Sequence, residues 1–218
     1  MKGILQHTRI FLSLFAIYIV LAGFFVFKNT KGTVEVWLNT YNNNTLDLFF
    51  FWATYLGDGI IAIGILLAIG LFLNLRKAFT ITVILLLVSA VTQVLKHFVF
   101  YDVYRPSVFL KGVTGLHYVP GLEIHSGNSF PSGHTTQAFC LFFLFSFYIK
   151  NRNWQYVFFI IALLAGISRV YLLQHFLIDI YFGAIIGTLG SILFLYYFNK
   201  INLLNYASID KPLINIRS

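Results

Sequence analysis

Residues 10–27 contain 18 residues without one charged side chain, directly after Lys2 and Arg9. A helix needs about 20 such residues to cross the ~30 Å hydrocarbon core of a bilayer. The run is longer than the apolar core of a secretory signal peptide, and no small-residue cleavage site follows it. It therefore reads as a retained transmembrane helix. Uncharged runs recur at 59–75, 78–95, 135–149, 154–168 and 180–199, closed by Arg76 and Lys77, Lys96, Lys150 and Arg152, Arg169, and Lys200. Charged types make up only 10% of the chain, against about 25% in a soluble domain. The expected fold class is all-α: a polytopic membrane helical bundle with about six transmembrane helices. One domain is expected over residues 1–200, with a short polar cytoplasmic tail over 201–218. Neither an internal repeat nor a linker interrupts it. The single cysteine, Cys140, excludes a disulfide within the chain and a multi-cysteine metal site.

The net charge of +8 would suggest a nucleic-acid partner in a soluble protein. Here the basic residues fall between apolar runs, which fits membrane topology and no nucleic acid. With six spans, Lys2, Arg9, Arg76, Lys77, Lys150, Arg152, Lys200, Lys211 and Arg217 share one side. Excess Lys and Arg marks the cytoplasmic side. Both termini are therefore expected in the cytoplasm, and residues 97–133 on the periplasmic or outer face.

Between the spans, residues 29–47 read as a polar loop, with Asn42, Asn43 and Asn44 as the loop signal. Residues 48–55 read as an interfacial helix or the lead-in to the next span. The long 97–133 connection carries Asp102, Glu123 and the histidines His97, His117 and His125. Their spacing matches no strong metal-ligand pattern, so solvated loop or substrate contact is the better reading. Asp58, between two glycines, reads as a turn. The Phe-rich stretch 139–147 reads as lipid-facing or core packing.

Three clusters lie at the outer ends of the expected spans. Lys96 ends the third run, and Arg105-Pro106 follows. Pro131, Ser132, Gly133 and His134 form a turn at the head of the fourth. Ser168 and Arg169 end the fifth, with His175 and Asp179 beyond. Charged side chains at membrane depth are costly, so such clustering points to function. His175 and Asp179 are spaced to share a helix face. A carboxylate that takes one ring N–H fixes the tautomer and leaves the other nitrogen as a nucleophile. Lys96, Arg105 and Arg169 supply cations for a phosphate, and Ser132 and Gly133 supply neutral donors at a helix start. His134 can protonate the leaving oxygen. No metal or cofactor is needed, because the cations already supply the charge.

Ser168-Arg169 with His175 and Asp179, together with Pro131-Ser132-Gly133-His134, resembles the signature of the type 2 phosphatidic acid phosphatase superfamily. The resemblance spans roughly residues 96–179. It implies a six-helix membrane fold and metal-independent phosphatase chemistry. It also implies a phosphohistidine on His175, His134 as acid, Asp179 as orienting carboxylate, and phosphate binding by Lys96, Arg105, Ser132, Gly133 and Arg169. The sequence departs from the family in one place: eight residues separate Lys96 from Arg105, more than in the usual first motif.

The expected function is a lipid phosphatase of the bacterial inner membrane, acting at the periplasmic face on undecaprenyl diphosphate, phosphatidylglycerol phosphate or a lipid A phosphate. The alternatives are a lipid phosphotransferase using the same histidine and a non-catalytic membrane anion-binding protein.

Overall fold

A computed structural model of the chain describes residues 1–149, 151–201 and 213. The regular elements among them are helical: α1 (Lys2–His7), α2 (Arg9–Lys28), α3 (Thr33–Asn39), α4 (Asn44–Ala53), α5 (Gly59–Phe72), α6 (Leu75–Val94), α7 (Pro106–Phe109), α8 (Gly133–Tyr148), α9 (Trp154–Tyr171) and α10 (Leu177–Ile201). A 3-10 turn, Thr54–Gly57, joins α4 to α5, and a π-helical turn, Leu95–Val99, extends α6.

Four helices are long and apolar enough to cross a membrane: α2, α6 with its π turn, α9 and α10. The segment Asn44–Gly57 and α5 meet the same test together, bent by 57° where they join. The bend has a local cause. The Asp58 side chain accepts from Ile60 N at 2.7 Å and starts a new helix there. The remaining apolar run forms α8, which at 16 residues is about 24 Å long. The six runs thus resolve into four continuous helices, one bent pair and one shorter helix.

That shorter helix is the centre of the bundle. α8 packs against α10, α9 and α6, and ten of its residues, from Thr135 to Ser146, are buried. Phe139, Phe142 and Phe143 belong to the core, which decides the two readings of the Phe-rich stretch for them. Phe11 of α2 sits edge-on to Phe143 and Phe159 at centroid distances of 5.6 and 5.4 Å, the geometry aromatic quadrupoles prefer.

The α8–α10 contact is close because small residues line it. A Cβ on Gly183 would come within 2.8 Å of the Ser132 carbonyl oxygen, and one on Gly187 within 3.0 Å of Phe139 Cβ. Glycines four apart on one face let helix backbones approach. This approach brings the start of α10 against the start of α8, where the candidate site lies.

Two segments differ from the expectation. The polar stretch 29–47 contains α3 and the start of α4, because Asn43 caps α4 through Leu46 N at 3.0 Å and Glu35, Asn39 and Asp47 are buried. His117 in the 97–133 connection is tied down: its Nε2 lies 2.7 Å from Asp47 Oδ2, and its N–H donates to Asn39 Oδ1 at 2.8 Å. The expected tail beyond Ile201, Leu213 aside, and the topology residue Lys150 lie outside the described residues.

Substituting Gly187→Ala forces α8 and α10 apart. Overpacking of this kind costs about 1–3 kcal/mol, so the detergent-solubilised variant should melt at lower temperature than the wild type.

Candidate active site

The site is assembled around Asp179, in the first turn of α10. Its Oδ2 accepts from Phe176 N at 2.9 Å and Ser129 Oγ at 2.5 Å, and lies 3.2 Å from His175 Nδ1. The carboxylate therefore acts as a cap at the helix N-terminus, where the dipole favours an anion. His175 precedes the helix. The expected shared helix face is thus replaced by a cap geometry that brings the same two side chains together. The peptide before α10 is held by its neighbours: His175 N donates to Arg169 O at 3.0 Å, and Leu177 N donates to the Glu35 carboxyl at 2.6 Å. Burial pushes the Glu35 carboxyl above the usual carboxylate range, partly offset by that amide.

The α8 start is tied to the same point. Ser132 N donates to Asp179 O at 3.0 Å, and Ser132 Oγ accepts from Thr135 N at 3.4 Å and Thr135 Oγ1 at 2.9 Å. Ser132 is thus a helix cap. With its amide and that of Thr135 engaged, the donors left at this helix start are the amides of Gly133 and His134.

The cations come from three places. Lys96 lies in the π turn, is only 7% exposed, and donates to Asn128 O at 3.1 Å. A π turn takes up extra residues in a helix and is common at functional sites. Here it lies where the Lys96–Arg105 spacing is long, and Lys96 still reaches the site. Arg105 donates through Nε to Gly127 O at 2.9 Å and through an NH to Gln174 O at 3.2 Å. Arg169, on α9, donates to Thr54 Oγ1 at 2.6 Å. Its Nε is buried with no partner among the described residues, a donor free for an anion. All three cations bear electrostatically on both His134 and His175.

The eight residues singled out from the sequence therefore converge on one locus. His117 and His125 are engaged elsewhere: His125 sits 3.6 Å from Glu123, and His117 pairs with Asp47. Among the described residues, no group of three His, Cys, Asp or Glu side chains is placed to share a metal ion. The sequence pattern gives no signal for Thr54, Gln174 and Glu35, and it marks Asn128 and Ser129 only as part of the polar turn that leads into Pro131–His134, without a role of their own. Thr54 and Glu35 contribute single hydrogen bonds from distant segments, and Asn128, Ser129 and Gln174 act from beside the motif residues. Only Asn128, a non-glycine at positive φ (51°), belongs to a residue type that signals a special backbone position.

The fold and this locus define a class of membrane protein with a buried cationic site between helix ends. The PAP2 superfamily profile matches residues 77–203, more than half of the chain, and the protein belongs to that superfamily. It is similar to the bacitracin transport permease protein BcrC of Bacillus licheniformis, 33% identical over 41% of this chain and 40% of that protein. It is also similar to phosphatidylglycerophosphatase B of Bacillus subtilis, 37% identical over 29% of this chain and 36% of that protein. The matches thus span well under half of these relatives. Among solved structures, Aquifex aeolicus LpxE superposes with a TM-score of 0.65 at 26% identity, over 75% of this chain and 93% of that one. A PAP2-type phosphatidylglycerolphosphate phosphatase from Bacillus subtilis shares the fold, with a TM-score of 0.60 at 22% identity over 92% and 98%.

Ser129→Ala removes one of the donors to the Asp179 carboxylate, a charge-assisted bond of about 1.5–3 kcal/mol. With Asp179 less firmly held beside His175, kcat should fall by about tenfold or more with KM little changed, as read by steady-state phosphate release from a lipid phosphate.

Proposed function

We propose that this protein is a membrane-embedded lipid phosphatase that works without a metal through a phosphohistidine on His175. The observation that carries this reading is a buried His175–Asp179 pair enclosed by Lys96, Arg105 and Arg169. Burial first, then Arg105, Arg169 and Lys96, hold the His175 imidazole well below its ordinary pKa. It is therefore neutral, as a nucleophile must be. With Nδ1 donating to Asp179, the lone pair sits on Nε2.

The steps follow from this arrangement. The cations and the Gly133 and His134 amides hold the phosphoryl oxygens and stabilise their charge in the transition state. Nε2 attacks phosphorus in line, the N–P bond forms and the P–O bond to the lipid breaks. His134 gives its proton to the departing oxygen. A water then attacks the phosphohistidine and yields its proton to His134. The N–P bond breaks and inorganic phosphate leaves.

The substrate is a lipid phosphate or diphosphate: undecaprenyl diphosphate, phosphatidylglycerol phosphate or a lipid A phosphate. Likeness to a phosphatidylglycerophosphatase supports this class, as does a site at the outer ends of apolar helices. The distribution of basic residues supports an inner-membrane protein with both termini cytoplasmic and the site facing the periplasm. Residues 1–200 form the phosphatase domain and 201–218 a cytoplasmic tail.

The test is phosphate release from a panel of lipid phosphates by purified protein, with no added acceptor and with excess chelator. Wild-type protein should release phosphate in both conditions, and His175→Ala should fall below about 1% of it. Unchanged release by His175→Ala would overturn the assignment, and release only with an added acceptor alcohol would make the protein a phosphotransferase.

A further inference from the structure

His134 has a difficult task. A leaving-group acid must carry a proton when substrate arrives, yet burial first, and then Arg169, His175, Lys96 and Arg105, act against a charge on this imidazole. Each positive charge nearby opposes its protonation. Asp179 is engaged with His175, Ser129 and Phe176. The acid therefore needs a carboxylate of its own.

The Thr54–Gly57 turn and Asp58 bring one. Asp58 Oδ2 lies 4.0 Å from His134 Nε2, within ion-pair range. The same turn meets the site at two more points. Thr54 Oγ1 accepts from Arg169, and Gly57 packs so closely that a Cβ there would come within 2.7 Å of the His134 carbonyl oxygen. This contact fixes the turn against the α8 start and with it the position of Asp58. The other carboxylate oxygen, Oδ1, caps α5, which anchors the side chain. Asp58 lies outside residues 77–203, the region that carries the family's motifs.

Resting on the phosphatase reading above, we infer that Asp58 is the positioning residue for the general acid. Its carboxylate orients the His134 ring through Nε2 and offsets the surrounding cations, so that the imidazole holds a proton for the lipid oxygen. The site then contains two histidine–carboxylate couples of opposite purpose. Asp179 leaves His175 with a free lone pair, and Asp58 favours the protonated form of His134.

Asp58→Asn tests this, because asparagine caps a helix as well as aspartate and removes only the charge. On a long-chain alkyl phosphate, a poor leaving group, kcat/KM should fall by about 30-fold or more, within the range general acid catalysis contributes. The groups facing His134 are Lys96, Arg105, Arg169, His175 and Asp58, and only Asp58 changes. A protonated acid is needed, so activity is lost as pH rises through its pKa. Removing the carboxylate lowers that pKa, and the alkaline limb of the kcat/KM profile should move to lower pH. In the background of His134→Ala, Asp58→Asn should cost little more, since the two act as a unit.

An unmoved alkaline limb, or losses that multiply in the double variant, would overturn the inference even if His175→Ala is inactive and the phosphatase reading stands. A wild-type chain without activity on lipid phosphates would overturn both. The melting temperature of Asp58→Asn separates the outcomes from misfolding, and Asp58→Ala, which removes the cap as well, should melt below it.

Discussion

The start of α10 holds the site together through one carboxylate. Asp179 Oδ2 accepts from the Ser129 hydroxyl and the Phe176 amide and faces His175, while its backbone oxygen takes the Ser132 amide. A buried charge is tolerated only when paired and hydrogen-bonded. Here the donors to Oδ2 come from the end of the 97–133 loop and the peptide before α10, while Oδ1 is buried with no partner among the described residues. This carboxylate and the backbone oxygen of the same residue therefore join the loop end and the α8 start to the α10 start. The close glycine contact between α8 and α10 makes that alignment possible.

The cations follow a different logic. Among the described residues, Lys96, Arg105 and Arg169 are each held by carbonyl or hydroxyl oxygens and by no carboxylate: Asn128 O, Gly127 O and Gln174 O, and Thr54 Oγ1. Neutral acceptors position a cation without cancelling its charge. The positive field is thus kept for an anion, as phosphoryl transfer requires. Two of the carboxylates at the site, Asp179 and Asp58, stand beside its histidines, and a third, Glu35, holds the backbone amide of Leu177.

Much of the site was legible in the sequence, because charges and histidines beside apolar runs have few structural uses in a membrane. Lys96, Arg105, Ser132, Gly133, His134, Arg169, His175 and Asp179 all meet at one locus. The pairing of His175 with Asp179 was also legible, though its geometry was not. Helical spacing suggested a shared face, whereas the two meet across a helix cap. The shortness of α8 was visible in the run 135–149, and Asp58 read as a turn, but the 57° bend that joins Asn44–Gly57 to α5 could not be read from hydropathy, which measures composition along the chain and not how one helix leaves another.

The sequence by itself determined the membrane class and the helical fold, since uncharged runs must be helical in lipid, and it singled out the residues of the candidate site, since polar groups are rare there. Only the tertiary structure decided which oxygens hold each cation, that Lys96 lies in a π turn and still reaches the site, and that the Thr54–Gly57 turn and Asp58 stand against His134. These depend on packing between segments far apart in sequence, and a hydrogen bond from Arg169 to Thr54 leaves no trace in the pattern of either segment.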